Sequence, residues 1–450
     1  MRPKLIATFI GVMAAGSVYA DDLISVYREA VVQDPVYSAQ RAAYQATKER
    51  RVQARSLLLP NINATGNAGY NSLDTNFSGG NAAQVSAFEG SRNYESYGAG
   101  VNITQPLFRR QNNVTYEQSG LQVTQAESQV ALAGQDLMVR VAQAYFDVLT
   151  SEYDLVTVEA QKAAIAEQLA QAKRNFEVGT ATITDTYDAQ ARYDLIVAQE
   201  LATRNDIEVR RRALQQLTGR NPGPLNTLEV PVSLNPPAPN DMEKWVQAAY
   251  ATNPQVRTAK AALDIANKEV DRNRFGHYPT VDAVGSLNYQ SQGGSNFGNN
   301  IGQDVRSAAI GLQLAVPLYS GGAISSRVRE AIANRTRAEQ DLENARRSVA
   351  QATRQAFLAV NTGLSQINAL QQAVNSNKLS VEASKLGQEV GVRTEVDVLN
   401  AQQLLYEAQR DLARAYYNAI VSQLRLKANV GRLTEADLEN VNRLLAPPKR

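Results

Sequence analysis

The stretch "GVRTEVDVLNAQ" (residues 391–402) has an upstream echo, "GTATITDTYDAQ" (residues 179–190), in which Gly, Thr, Asp, Ala and Gln recur in step, 212 positions apart. Glycine takes the left-handed conformation that ends a helix. Threonine with an acid three residues later begins one, because the hydroxyl and carboxylate satisfy free amides at the positive helix end. Each element therefore predicts a tight reversal between helices. Gly179 and Gly391 end one helix, Thr182 and Thr394 cap the next, and Asp185 and Asp397 stand at its third position.

The flanks fit. Residues 107–221 and 318–446 contain no proline. Counting core positions of a heptad from Val130 through Leu137, Val141, Val148 and Val158 to Phe176, eleven of fourteen are apolar; Lys162 is one of the exceptions. The same register between Leu342 and Gln388 keeps eight of fourteen, and Val398, Ala401, Leu405, Ala408 and Leu412 resume it after the turn. These are coiled-coil seams. At 1.5 Å per residue the first run reaches roughly 100 Å, far more than a globular domain requires.

Further out, the period changes. Pro35 and Pro60 match Pro254 and Pro279 at an offset of 219; Pro106 matches Pro317 at 211, and Gly219 matches Gly431 at 212. The chain thus reads as a two-fold repeat, 21–219 and 241–432, joined by a linker at 220–240 rich in proline and followed by a terminal segment, 433–450. The first copy holds about eight extra residues between its second and third prolines, the mark of an exposed loop. Strict alternation of apolar with small or polar residues predicts strands at about 61–71, 94–105, 281–290 and 306–316, joined by polar loops at 71–92 and 291–305.

The first twenty residues, "MRPKLIATFIGVMAAGSVYA", have the basic start, apolar core and small-residue end of a secretory signal. With no cysteine in the chain, a lipid anchor on a mature N-terminal cysteine, disulfides, zinc–thiolate sites and thiol catalysis are excluded. A net charge of +2 gives no reason to expect nucleic acid. The single histidine, His277, lies at a helix-to-strand junction with no nucleophile, phosphate loop or carboxylate cluster beside it, so neither enzyme chemistry, a metal nor a cofactor is expected. Tyr70, Tyr97, Tyr289 and Tyr319 suit a membrane interface or ordinary strand packing equally well.

Four strands with one apolar face cannot stand alone in a bilayer, because open edges leave amides unsatisfied and known barrels begin at about eight strands. At least two chains are needed; three would supply twelve strands and six copies of the repeat.

The signal, the strand pairs after "LLLP" and "GHYP", the pieces "QPLF" and "VPLYSGG", the turns "VGTATITD" and "VGVRTEVDVLNAQ" and the closing "VGRLTEADL" together resemble the TolC-like outer membrane efflux proteins over essentially the whole mature length. The resemblance implies a mixed α and β fold: a homotrimer with a twelve-stranded barrel in the outer membrane lipid, continuous with a periplasmic α-helical coiled-coil barrel. It implies an exit duct for efflux or type I protein secretion, served by a periplasmic adaptor and an inner-membrane efflux pump or ABC transporter. By the same resemblance the turns are the periplasmic tips. Val178, Gly179, Val390 and Gly391 would dock the adaptor. Thr184, Asp185, Gln388, Arg393, Asp397 and Asn400 would form the gate, with Asp397 in a ring and Arg393 reaching Thr184 and Asp185 of the neighbouring coiled coil. Gln388 stands where the family has tyrosine and Asn400 where it has an acid. The competing expectation is a structural coiled-coil assembly at the cell surface, which explains the heptads but not the strands.

Overall fold

The computed structural model describes residues 20–76, 90–228, 232–293 and 302–447, so all but the last residue of the signal segment lies outside the described residues. In chain order the elements are α1 (Leu23–Gln33), α2 (Pro35–Ser56), β1 (Asn61–Thr75), β2 (Gly90–Phe108), α3 (Arg110–Glu177), α4 (Ile183–Thr218) and β3 (Thr227–Leu228). They continue as α5 (Met242–Thr252), α6 (Pro254–Arg274), a 3₁₀ turn (Phe275–His277), β4 (Thr280–Gln292), β5 (Gln303–Ala315), α7 (Ala323–Glu389), α8 (Glu395–Val430), α9 (Glu435–Asn442) and β6 (Leu445–Ala446). The two longest helices, α3 and α7, have 68 and 67 residues, and α4 and α8 have 36 each.

Two compact units are present. One draws on the chain up to residue 41, 130–256 and 346–450; the other on 42–129 and 257–345.

In the first unit the core gathers Leu23, Val26 and Ala30 of α1, Leu137, Val141, Tyr145 and Phe146 of α3, Leu214 of α4 and Leu412, Tyr417 and Ile420 of α8. Phe146 stacks on Tyr417 at 5.5 Å between ring centroids and meets Tyr145 edge-on at 5.7 Å. The apolar seam is buried at Val148, Val158 and Leu169 in α3 and at Val398, Ala401 and Ala408 in α8, whereas Phe176, its last member before the first tip, is 43 % exposed. Asp34 caps α2 through the amide of Tyr37 at 2.6 Å and accepts from Arg140 at 3.0 and 3.3 Å, so this buried carboxylate is compensated. The linker contributes β3, which pairs antiparallel with β6, while the Trp245 indole donates to the Pro239 carbonyl at 2.8 Å.

The second unit holds a four-stranded antiparallel sheet in the order β1-β2-β4-β5. Its register aligns apolar positions into one face, because directly opposed residues share a side. Ile62, Ile103, Gly285 and Ile310 form one row; Ala64, Val101, Leu287 and Ala308 form the next. The other face carries Asn63, Asn102, Ser286 and Ala309, then Thr65, Gly100, Asn288 and Ser307. The apolar face is open: Ile310 is 93 %, Leu312 73 % and Ile62 65 % exposed. At the foot of the sheet Asp282 is buried and takes both arms of Arg109, at 2.8 and 2.5 Å.

The strands run further than alternation alone predicts. Asn71 to Thr75, Gly90 to Arg92, Ser291 to Gln292 and Gln303 to Val305, read from the sequence as loop, are paired in the ladder. Backbone hydrogen bonds hold the ladder there, and polar side chains do not interrupt them. The fourth strand instead stops at Ala315, one residue short of the expected 316, just before Pro317, whose ring restricts the preceding residue. The eight extra residues of the first half are accordingly shared: two lengthen β1, four lie between the strands and two precede Pro106. Most of the two connections, 77–89 and 294–301, lies outside the described residues. Among the described residues no helix is long and apolar enough to cross a membrane.

Candidate functional site

The two tips are built alike. Helix α3 closes where the amides of Thr180 and Ala181 donate to the Asn175 carbonyl at 2.8 and 3.2 Å; α7 closes where those of Val392 and Arg393 donate to the Gly387 carbonyl at 2.9 and 3.1 Å. Both closures wrap back on the helix end and need a left-handed residue, supplied by Gly179 at φ +78° and Gly391 at φ +79°. The next helix then opens with a reciprocal cap. The Thr182 amide and hydroxyl donate to the Asp185 carboxylate at 2.9 and 2.8 Å, and the Asp185 amide donates to the Thr182 hydroxyl at 3.3 Å. Thr394 and Asp397 repeat the arrangement at 2.9, 2.8 and 3.3 Å.

These bonds are formed with the charged carboxylate, so they hold both acids below their ordinary range. For Asp185 the Thr182 amide contributes most, then its hydroxyl; for Asp397 the Thr394 amide and hydroxyl lead, with Arg393 a smaller addition. Both tips therefore carry a fixed negative charge at neutral pH.

Within the chain Arg393 turns to Asp397, with 3.9 Å between guanidinium and carboxylate, rather than to Asp185 or Thr184. Four residues apart across a helix start, Arg393 and Asp397 are close neighbours, and an exposed pair of this kind is worth only about 0–1 kcal/mol in general. Thr184 instead accepts from the Thr182 hydroxyl at 3.2 Å. Gln388 and Asn400 make no side-chain hydrogen bond among the described residues. Val178, Val390 and Val392 stand 72 %, 66 % and 76 % exposed at the turns, an apolar surface of small residues open to a partner. Sequence reading missed Gly387: a Cβ there would come within 2.7 Å of Arg393 Cγ, so the arginine stem lies across a bare backbone.

A second polar cluster lies between α3 and α4. Lys162 donates to Glu200 at 2.6 Å, and Arg204 bonds both Glu200 and Glu159, at 2.8 and 2.7 Å. Lys162 and Glu200 stand at nearly equal distances on either side of the first turn, as do Glu159 and Arg204. Folding the sequence back at Gly179 would have paired them.

The chain matches the family described as outer membrane efflux protein over residues 26–220 and 245–432. It is 34 % identical to the outer membrane protein TolC of Vibrio cholerae over 100 % of this chain and 99 % of that protein. To the alkaline protease secretion protein AprF of Pseudomonas aeruginosa it is 30 % identical, covering 94 % and 87 % of the two chains. The solved CmeC outer membrane channel of Campylobacter jejuni shares the fold with a TM-score of 0.78 over 99 % of this chain and 97 % of that one, at 15 % identity. With paired strands and two-helix tips in the order its sequence requires, this chain belongs to the outer membrane efflux protein family.

Proposed function

We propose that three copies of this chain form the outer membrane exit duct of efflux and type I secretion systems. The chain would be a duplicated unit, with four strands from each of the three chains closing a twelve-stranded barrel in the outer membrane and the long helices closing a tube in the periplasm. One observation carries this reading: the sheet has an exposed apolar face, an opposite face rich in Asn, Ser and Thr, and unpaired edges at β1 and β5. In hydrocarbon such edges must be closed, which a single chain of four strands cannot do. Family membership and the secretion role in the name of AprF support the same reading. The protein would be a conduit rather than a catalyst.

In that trimer Val178, Gly179, Val390 and Gly391 would meet a periplasmic adaptor serving an inner-membrane efflux pump or ABC transporter. Three copies of Asp397 would ring the pore and draw cations, since like charges held close attract counter-ions and resist closure. Arg393 would exchange its own Asp397 for Asp185 and Thr184 of a neighbouring hairpin. An exposed pair is weak, so an adaptor can displace it. Gln388 and Asn400 would complete the gate wall.

The test is the mass and conductance of detergent-extracted protein. A trimer forming cation-preferring pores in planar bilayers is expected. A monodisperse monomer without conductance would return the chain to the structural coiled-coil alternative.

A further inference from the structure

On the apolar face of the sheet, one position breaks the pattern. Reading up β5 from its helical end, Leu314, Leu312, Ile310 and Ala308 share a side, and the fifth residue of that series is Arg306. Its row is completed by Tyr289, Ala99 and Gly66. The guanidinium lies over the Tyr289 ring, 5.8 Å from its centroid, and is exposed. From Leu314 to Arg306 the strand rises about 27 Å, which at a tilt of about 40° spans about 21 Å of height. That approaches the roughly 25 Å apolar band of a barrel, so Arg306 stands at the rim farthest from the helices.

Two carboxylates flank this level on the same face, Asp304 two residues from Arg306 and Glu95, and each accepts from a tyrosine. The Tyr289 hydroxyl donates to Asp304 at 3.3 Å, and the Tyr97 hydroxyl donates to Glu95 at 2.8 Å. No ion pair forms between Arg306 and a carboxylate among the described residues. A cation on a lipid-facing rim, stacked on an aromatic ring and without a carboxylate, is built for an anion supplied by the membrane.

We propose that Arg306 and Tyr289 form a site for the phosphate group of an outer-leaflet lipid. The guanidinium bonds the phosphate oxygens in its plane while the tyrosine ring supports its face and packs against the sugar or glycerol beneath. The site rests on the membrane reading above, and would fix the depth of each sheet in the bilayer at one point, three per trimer.

The experiment compares wild type, R306K, R306Q and Y289L after reconstitution into phosphatidylcholine vesicles doped with either a bisphosphorylated glucosamine lipid or its dephosphorylated analogue. Lipid retained through detergent extraction is counted by native mass spectrometry. Wild type should retain the phosphorylated lipid about fivefold over its analogue, R306K only part of that preference because an ammonium loses the planar contact, and R306Q none, the scale expected for one cation near an anionic surface. Y289L should lower the preference without abolishing it. Equal retention of both lipids by wild type, or an unchanged preference in R306Q, overturns the proposal while leaving the barrel intact. Loss of the preference in excess inorganic phosphate identifies a free-anion site and overturns the lipid assignment. Failure of wild type to enter vesicles of either kind overturns the membrane reading, and this site with it.

Discussion

The two helical hairpins, α3 with α4 and α7 with α8, have matching turns and different interiors. At the tips the capping distances agree to within a tenth of an ångström. Away from the tips the chemistry diverges. Where the first hairpin sets Lys162, Glu200, Arg204 and Glu159, positions 212 further on hold Val374, Leu412, Tyr416 and Gln371. Leu412 and Tyr416 are buried, 6 % and 4 % exposed, within the main core. Likewise Phe146 is 1 % exposed, and its counterpart Leu358 is 56 % exposed. The lesson is that geometry needed by both turns is kept in the side chains that form them, whereas the helix walls are free to specialise: the charge layer of the first hairpin has an apolar layer as its counterpart in the second, while the buried Phe146 of the first has the exposed Leu358 as its counterpart.

The largest expected contrast is between Phe146 and Leu358. Phe146→Ala removes a ring stacked on Tyr417 and should cost about 3–5 kcal/mol, whereas Leu358→Ala should cost the isolated chain less than about 0.5 kcal/mol. Thermal unfolding in detergent measures both. If Leu358 packs against another copy, its alanine variant should weaken assembly on native gels without lowering chain stability. Equal losses in the two variants would erase the distinction between the walls.

Next come the residues that end the second helix of each hairpin. Gly219 and Gly431 have φ of +76° and +80°, so alanine is strained at both, by about 1–2 kcal/mol. At Gly431, however, a Cβ would meet the Thr252 carbonyl oxygen at 2.6 Å and Asn253 Cα at 2.9 Å; at Gly219 the nearest atom is Gln33 Cβ at 3.6 Å. Gly431→Ala should therefore lose about 1–3 kcal/mol more than Gly219→Ala, from overpacking against backbone. Equal denaturation midpoints would show that the backbone at Thr252 and Asn253 yields.

The charge layer predicts a pH dependence in one hairpin. Hydrogen bonds from Lys162 and then Arg204 hold Glu200 below its ordinary range. A carboxylate depressed in the folded state contributes stability that is complete above its unfolded value of about 4.3 and is lost as pH falls through the folded one. Lys162, raised chiefly by its bond to Glu200, contributes below about pH 10.4 and loses that contribution as pH rises through its folded value. Amide exchange across residues 159–204 should speed up below about pH 4 relative to 371–416, since Leu412 and Val374 have no proton to gain. K162V/E200L should remove the difference. Matching acid profiles in the unmodified hairpins would refute it.

The helices, turns and strands were legible because their signals are local: a heptad, a threonine with an acid three residues on, an alternation. The order of pairing was not, since β2 and β4 meet across residues separated by the long helices, and nothing local records it. Strand ends escaped because backbone pairing outlasts side-chain alternation from Asn71 to Thr75. At the tips the caps were readable from Thr182, Asp185, Thr394 and Asp397, but the choice of Asp397 by Arg393 was not. The Arg393 stem lies where a Cβ at position 387 would stand, and Gly387 looks like any other helical glycine in the sequence.

The smallest structural effect, and the sharpest functional one, is expected at the two caps. Asp185→Asn and Asp397→Asn each keep an oxygen able to accept from threonine, so each should lower the unfolding midpoint only modestly, through loss of the charge at the helix start. Their electrostatic consequences differ in the proposed trimer. Asp397 lies beside a cation, Arg393, that can leave it, and Asn400 adds no charge to this tip. Three lost charges at a constriction should sharply reduce cation preference in bilayer reversal potentials, and Asp397→Asn should do so far more than Asp185→Asn. Arg393→Ser should instead raise conductance, because in the proposed trimer it frees Asp397 and the neighbouring Asp185 from the cation that would hold them. Reversal potentials that move equally for the two asparagine variants would make the tips functionally alike, as their caps are. If neither moves, both aspartates serve only to begin a helix.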